Sequence, residues 1–300
     1  MYDLPSEDPE EPGLPDEFHD LQPQLLSRTL SLTQYRPEDC FTVSDLNVYY
    51  DENHTGWYKR PDWFLTVGVS RMYNDEDARR SYVVWQEGKS PDVVVEILSE
   101  GTEAEDLGRF YEAISEASGE GASASTSEIS ETDQNTETLE NLAVADLAVL
   151  KTSRERPPEK FEVYETYLQV PHYLVYDRRT QVLRYFQWIE GAYQERSLNP
   201  TPPMVWLADL DIGLGIWRGK FEGIPGNWLR WCDRQGNWLL TDTEQANQQL
   251  AQERQAREQA EAKLLQTARN LLATGMAADQ VAEIVGLSTD QIAEVLEGQD

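Results

Sequence analysis

The stretch SPDVVVEILS, residues 90–99, decides how the chain is read. Val93-Val94-Val95 and Ile97-Leu98 form an apolar run of strand length, interrupted by one acid, Glu96. A short continuous apolar run rich in β-branched residues predicts a strand buried on both faces. With the two-residue period of a strand, Asp92, Val94, Glu96 and Leu98 share one face. An ionised carboxylate in such a place is costly unless it is paired or faces a cation. Upstream, RPDWFLTVGV (residues 60–69) presents a second acid, Asp62, after a proline at the mouth of another apolar strand. Paired carboxylates from adjacent strands suit a hard divalent ion such as Mg²⁺, with Mn²⁺ as a substitute, because these prefer oxygen ligands. Such an ion activates water and neutralises charge on a phosphate.

Around these strands the pattern is that of alternating β and α elements. Strands are expected at Phe41–Val43, Leu46–Tyr50, Trp63–Val69, Tyr82–Trp85 and Val93–Leu98. After an interruption come a helix over Glu159–Gln169, started by Pro157-Pro158, and a strand–turn–strand over Tyr173–Phe186. Short strands follow near Ala192–Leu198 and Val205–Leu207. Gly213-Leu214-Gly215 reads as a turn, and the Trp-rich Asn227–Leu239 closes the core. Phe161, Tyr164 and Leu168 fall on one side of the expected helix. The fold class is α/β, a mixed central sheet flanked by helices with a C-terminal helical extension.

Four segments follow from composition. Residues 1–24 read as a disordered acidic tail, and 25–242 as the catalytic-type domain, with a low-complexity insertion at about 115–150. Residues 243–270 read as a solvated helical linker or weak coiled coil. Residues 271–300 resemble a helix-turn-helix with Ser288 as an N-cap.

The net charge of -30 argues against strong long-range attraction of nucleic acid. Eight acids and no base lie in residues 1–20, and nine acids and no base in residues 112–148. From Ala277 onward there is no base either, which speaks against DNA reading by the tail and for self-association or docking of a protein partner. No apolar run reaches the roughly 20 residues that span a bilayer, and the acidic, proline-rich start is unlike a secretory signal. Cys40 and Cys232, far apart, make no disulfide framework, so a cytoplasmic protein is expected. His19, His54 and His172 show no metal-ligand spacing.

The motifs SDLNVYYDE (44–52), RPDWFLTVGV (60–69), SPDVVVEILSEGTEAEDLG (90–108), EKFEVYETYLQVPHYLVYDRRTQVLRYF (159–186) and GLGIWRGKFEGIPGNWLRWCDRQGNWL (213–239) together resemble the PD-(D/E)xK nuclease superfamily. Within it they are similar to the Uma-type restriction endonucleases, a type numerous in cyanobacteria. The resemblance implies a restriction-endonuclease-like sheet and Mg²⁺-dependent hydrolysis of nucleic acid, DNA foremost, by an enzyme that often works as a dimer. It makes Asp62 the first metal-binding acid and Glu96 the second. The lysine expected two positions after that acid is absent, since Leu98 stands there. Lys160 on the following helix takes its place. Asp92 is an auxiliary candidate; the acid often supplied by an N-terminal helix has no counterpart.

Each of these residues has a bland rival. Glu96 could be a structurally paired acid, Asp62 a turn cap, Lys160 a helix-surface lysine, Asp92 the first residue of its strand and Asp106 an N-cap. The alternative function is accordingly a nuclease-fold protein without activity that serves as a protein-interaction module.

Overall fold

The computed structural model describes residues 16–111, 156–200, 203–288 and 290–293. The expected insertion at 115–150 and the first fifteen residues of the expected acidic tail lie outside the described residues. The chain divides into two units, Met1–Leu239 and Leu240–Asp300.

In the first unit a six-stranded mixed sheet has the order β1-β4-β6-β7-β8-β9. Its strands are β1 (Cys40–Val43), β4 (Trp63–Val67), β6 (Val93–Ile97), β7 (His172–Asp177), β8 (Val182–Ile189) and β9 (Ala192–Arg196). All neighbours are antiparallel except β6 and β7, which run parallel. A parallel pair needs a crossover; the described parts of this one are α3 (Glu103–Leu107) and α4 (Lys160–Glu162). A small sheet of β2 (Val48–Tyr49), β3 (Tyr58–Lys59) and β5 (Tyr82–Val83) lies alongside in sequence. The chain turns into the short helix α2 (Val84–Glu87) directly after β5, so the strand expected to reach Trp85 stops at Val83.

Both faces of the large sheet are covered, which is why β4 and β6 are buried at every position. On one face Phe64, Val94, Tyr173 and Val175 pack with Phe161, Tyr164 and Leu168. On the other, Trp63, Leu65, Val93, Val95 and Leu174 pack with Leu207, Leu214, Leu229 and Trp231. The latter come from an antiparallel sheet of β10 (Asn199–Pro200), β11 (Pro203–Leu207), β12 (Ile212–Phe221) and β13 (Ile224–Cys232).

Two expectations need correction here. The Gly213–Gly215 segment is not a turn but lies within β12, paired on both sides. A Cβ at Gly213 would stand 2.6 Å from Cys232 Sγ, and one at Gly215 2.8 Å from the Pro203 carbonyl oxygen. These glycines let neighbouring chain segments approach closely, a role of glycine in strands that looks like a turn signal in sequence.

Residues 17–24, expected within a disordered tail, are helical instead. Glu17–Thr29 form helix α1, opened by a capping box in which Asp16 accepts from His19 N–H. Buried Gln22 both donates to and accepts from the Leu229 backbone, at 2.9 and 2.7 Å. Trp231 Nε1 donates to the Leu26 carbonyl at 2.9 Å. Phe18, Leu25 and Leu26 join the core, and this buried face outweighs the acid- and proline-rich composition.

In the second unit, α5 (Asp242–Ala273) runs unbroken for 32 residues, about 48 Å at the helical rise. It opens with a Thr241–Glu244 capping box, and Ala268 is its one buried residue among those described. α6 (Ala278–Val285) ends on left-handed Gly286, and a further helical turn occupies 290–293. Ser288 caps that turn, accepting from Gln291 N–H at 3.2 Å. Val281, Ala282 and Ile292 pack with Ala268. Among the described residues no helix is long and apolar enough to cross a membrane.

Candidate active site

The register of β4 against β6 pairs Trp63 with Val95, which sets Asp62, just before β4, across from Glu96 near the end of β6. The contact is mutual. Asp62 N–H donates to Glu96 Oε2 at 3.3 Å, and the Asp62 carboxylate accepts Ile97 N–H at 2.6 Å. Both side chains belong to the sheet face shared by Phe64 and Val94, two residues along each strand. Glu96 is fully buried, whereas Asp62 is half-buried.

The crossover supplies the cation. Lys160, at the first position of α4, puts Nζ 3.4 Å from Glu96 Oε2 and 3.2 Å from Asp106 Oδ1. One turn on, Tyr164 donates its hydroxyl to Glu96 Oε1 at 2.6 Å, so both Glu96 oxygens are engaged. After Glu162 the helix widens into a π turn over Val163–Tyr167, with Leu168 N–H reaching back to the Val163 carbonyl. Such turns are rare and concentrate at functional sites. The expected helix is therefore present, and its predicted inner face of Phe161, Tyr164 and Leu168 is the buried one.

Asp106 is the residue that sequence reasoning placed wrongly. It is not an N-cap but lies near the end of α3, almost wholly buried. Its Oδ1 has no hydrogen-bond partner of good geometry, although Lys160 stands close. α3 closes on Gly108 (φ +50°), where a Cβ would stand 2.7 Å from the Phe161 ring. Glycine at this close approach lets α4 come down beside α3. The sequence signals available were modest: Lys160 and Tyr164 at helical i, i+4 spacing, and Asp106 ten residues beyond Glu96.

Asp92, the auxiliary candidate, takes another role. Its carboxylate accepts Val67 N–H at 2.8 Å and pairs with Lys89 at 2.9 Å. It sits four residues before Glu96, roughly 13 Å along an extended strand. It fastens the start of β6 to the end of β4. The histidines are likewise structural: His172 is buried between Tyr185 and Asp209, His54 stacks on Trp57, and His19 closes the α1 cap.

Three acids around one ammonium leave a surplus of negative charge in a dry place. Burial pushes Glu96 up to about 7 against the pull of Lys160, and Asp106 likewise to about 7. Asp62 is raised too, burial again outweighing Lys160. Burial works to lower Lys160, yet Glu96, Asp106 and Asp62 together hold it above the usual lysine range. Tyr164 stays a neutral donor, raised well above 10 by burial and by Glu96. Perturbed groups of this kind concentrate where chemistry is done. Among the described residues, no group of three or more His, Cys, Asp or Glu side chains is disposed to hold a metal ion. Asp62 and Glu96 are the two carboxylates of the site that could face a cation which keeps its own waters, as magnesium does.

Comparison with known proteins gives a partial match. The family described as "Uma2: Putative restriction endonuclease" matches residues 1–114, a segment that holds Asp62, Glu96 and Asp106 and ends before Lys160. The crystal structure of a nuclease, itself described as putative, from Anabaena variabilis ATCC 29413 is similar at 10% identity. That alignment covers 67% of this chain and 77% of that one, with a TM-score of 0.34. No curated protein matches the chain.

Proposed function

We propose that the chain is a metal-dependent endonuclease that hydrolyses phosphodiester bonds, with DNA as substrate. The observation that carries this reading is the convergence of Asp62, Glu96 and Lys160, from two strands and the crossover helix, on one sheet face. The family match over residues 1–114 supports it. Asp62 and Glu96 would hold a Mg²⁺ or Mn²⁺ ion. When bound, such an ion lowers the pKa of water and offsets charge on the phosphoryl oxygens. Tyr164 holds the Glu96 carboxylate in place, and the Asp62 backbone N–H holds its second oxygen. Lys160, kept charged by three acids, positions the attacking water and stabilises the pentavalent phosphate.

The test compares wild type with Glu96→Gln and Lys160→Met for cleavage of plasmid and linear DNA with Mg²⁺ or Mn²⁺, alongside calorimetric titration of the cation. Cleavage and cation binding in wild type, both lost in Glu96→Gln, are expected. A wild type that neither binds the cation nor cuts any nucleic acid removes the reading.

One observation favours a second reading. Glu96 has no exposed surface, and both its oxygens are already bonded. A nuclease fold without activity, holding Lys160 and Glu96 as a structural pair and acting as an interaction module, has this appearance. Retention of a protein partner by an Asp62→Ala/Glu96→Ala variant would support it.

A further inference from the structure

The first unit carries two exposed basic side chains that the candidate site does not use. β11 pairs with β12 only as far as Gly215. Beyond that point β12 and β13 continue as a two-stranded ribbon, Ile216 paired with Leu229 through to Phe221 with Ile224. Arg218 and Lys220 lie on this ribbon two residues apart, hence on one face, and both are exposed. Among the described residues neither has a carboxylate partner. They line an open cleft of about 710 Å³ together with Gln181 and Asn227. Other arginines of this region are committed: Arg28 to Glu222, Arg178 to Asp16, and Arg179 to Glu100 and Glu103.

The cleft is joined to the candidate site by a short series of contacts. Gln181 ends the turn that leaves β7, and Tyr176 on β7 donates its hydroxyl to the Asn227 carbonyl at 3.0 Å. Arg179 in the same turn bonds Glu103 at the start of α3, one helical turn before Asp106. Glu96 and Asp177 lie toward the same end of the parallel pair β6–β7. The cleft and the site therefore lie toward the same end of the β6–β7 pair, the cleft in the layer that covers the opposite face of the sheet.

We propose that Arg218 and Lys220 form a phosphate-contacting ridge for the backbone of duplex DNA. The proposal rests on the phosphodiesterase reading for the class of its ligand. In a chain of net charge -30 a polyanion is repelled at long range, so binding must rely on local cations that no acid neutralises. Polar Gln181 and Asn227, which line the same cleft, are of the kind that bond phosphate oxygens beside Arg and Lys. The bland rival is that charges on the free edge of a ribbon simply block edge-to-edge pairing. Charge reversal separates the two, because glutamates protect an edge as well as lysine and arginine do.

The experiment measures binding of a labelled DNA duplex to the full chain in Ca²⁺ across a series of salt concentrations. It compares wild type, Arg218→Glu/Lys220→Glu and Arg218→Gln/Lys220→Gln. Each phosphate contact contributes about 0.9 to the slope of log affinity against log salt. Both double variants should lose about two units of slope and roughly tenfold or more in affinity at moderate salt, equally for unrelated sequences. Their oligomeric state and melting temperature should stay as in wild type. Unchanged slope and affinity in the reversal variant, or a wild type that binds an acidic peptide but no duplex, would overturn the proposal. Calorimetric titration of Mn²⁺ addresses the phosphodiesterase reading alone. Cation binding lost with the salt slope intact, or the reverse, shows which of the two has failed.

Discussion

Lys160 Nζ stands 3.4 Å from Glu96 Oε2 although 64 residues separate them in the chain. The ammonium closes a ring of acids that come from the residue before β4, from β6 and from α3. Because Glu96 and Asp106 are buried, each group in the ring depends on the others for its charge state, and the consequences are measurable.

Lys160→Met leaves two buried acids without their counter-charge. Removing one partner of a buried pair costs about 3–5 kcal/mol. Here the loss should shrink as the acids take up protons. Denaturant unfolding is expected to show a large destabilisation at pH 8 and a small one at pH 5. An equal loss at both would mean that Glu96 and Asp106 do not titrate in this range.

Glu96→Gln tests the linkage directly. The carboxyl is raised from 4.5 in the unfolded chain to about 7 in the folded one, mainly by burial. Between those values the folded protein holds a proton that the unfolded chain has released. Stability from this group thus falls as pH rises from about 4.5 to about 7, and is flat outside that window. Wild-type stability relative to Glu96→Gln should therefore decline across this interval and then level off. A rising difference would refute the assigned direction.

Tyr164→Phe removes the donor to Glu96 Oε1 and leaves that oxygen buried and unmatched. The expected cost is about 1–3 kcal/mol, with Glu96 titrating at still higher pH. Activity should fall through loss of cation affinity, and added Mn²⁺ should restore part of it.

Gly108→Ala brings a Cβ to 2.7 Å from the Phe161 ring at a φ of +50°. Overpacking typically costs about 1–3 kcal/mol, and the backbone conformation adds to it. Displacement of α4 should reduce activity more than Gly223→Ala, whose Cβ meets nothing within 4 Å despite its positive φ.

Gln22→Ala leaves the Leu229 N–H and carbonyl unpaired where α1 meets β13. A destabilisation of about 2 kcal/mol is expected from the stranded groups. A neutral result would mean that α1 contributes little to the first unit.

What could be read from the chain alone was the part written in local patterns. The apolar run around Glu96 specified a doubly buried strand, and period two put Glu96 on the same face as Val94. Proline and spacing specified a helix over Glu159–Gln169, and in the folded chain it opens at Lys160. Composition separated the long charged helix at the end. Those signals are local because side-chain alternation repeats every two residues in a strand and every 3.6 in a helix.

The rest depended on partners distant in sequence. Gln22 lies in an acid- and proline-rich segment, and its helix becomes worthwhile only against β13, some two hundred residues away. Glycines 213 and 215 look like a turn until β11 and β13 flank them. Asp92 was legible as the residue entering its strand, but nothing local marked Asp106, ten residues beyond Glu96, as a member of the site. Only the folded chain settles that Asp106 faces Lys160 while Asp92 pairs with Lys89. Burial and charge pairing are properties of three-dimensional neighbourhoods, and a carboxylate's role is set by what surrounds it there.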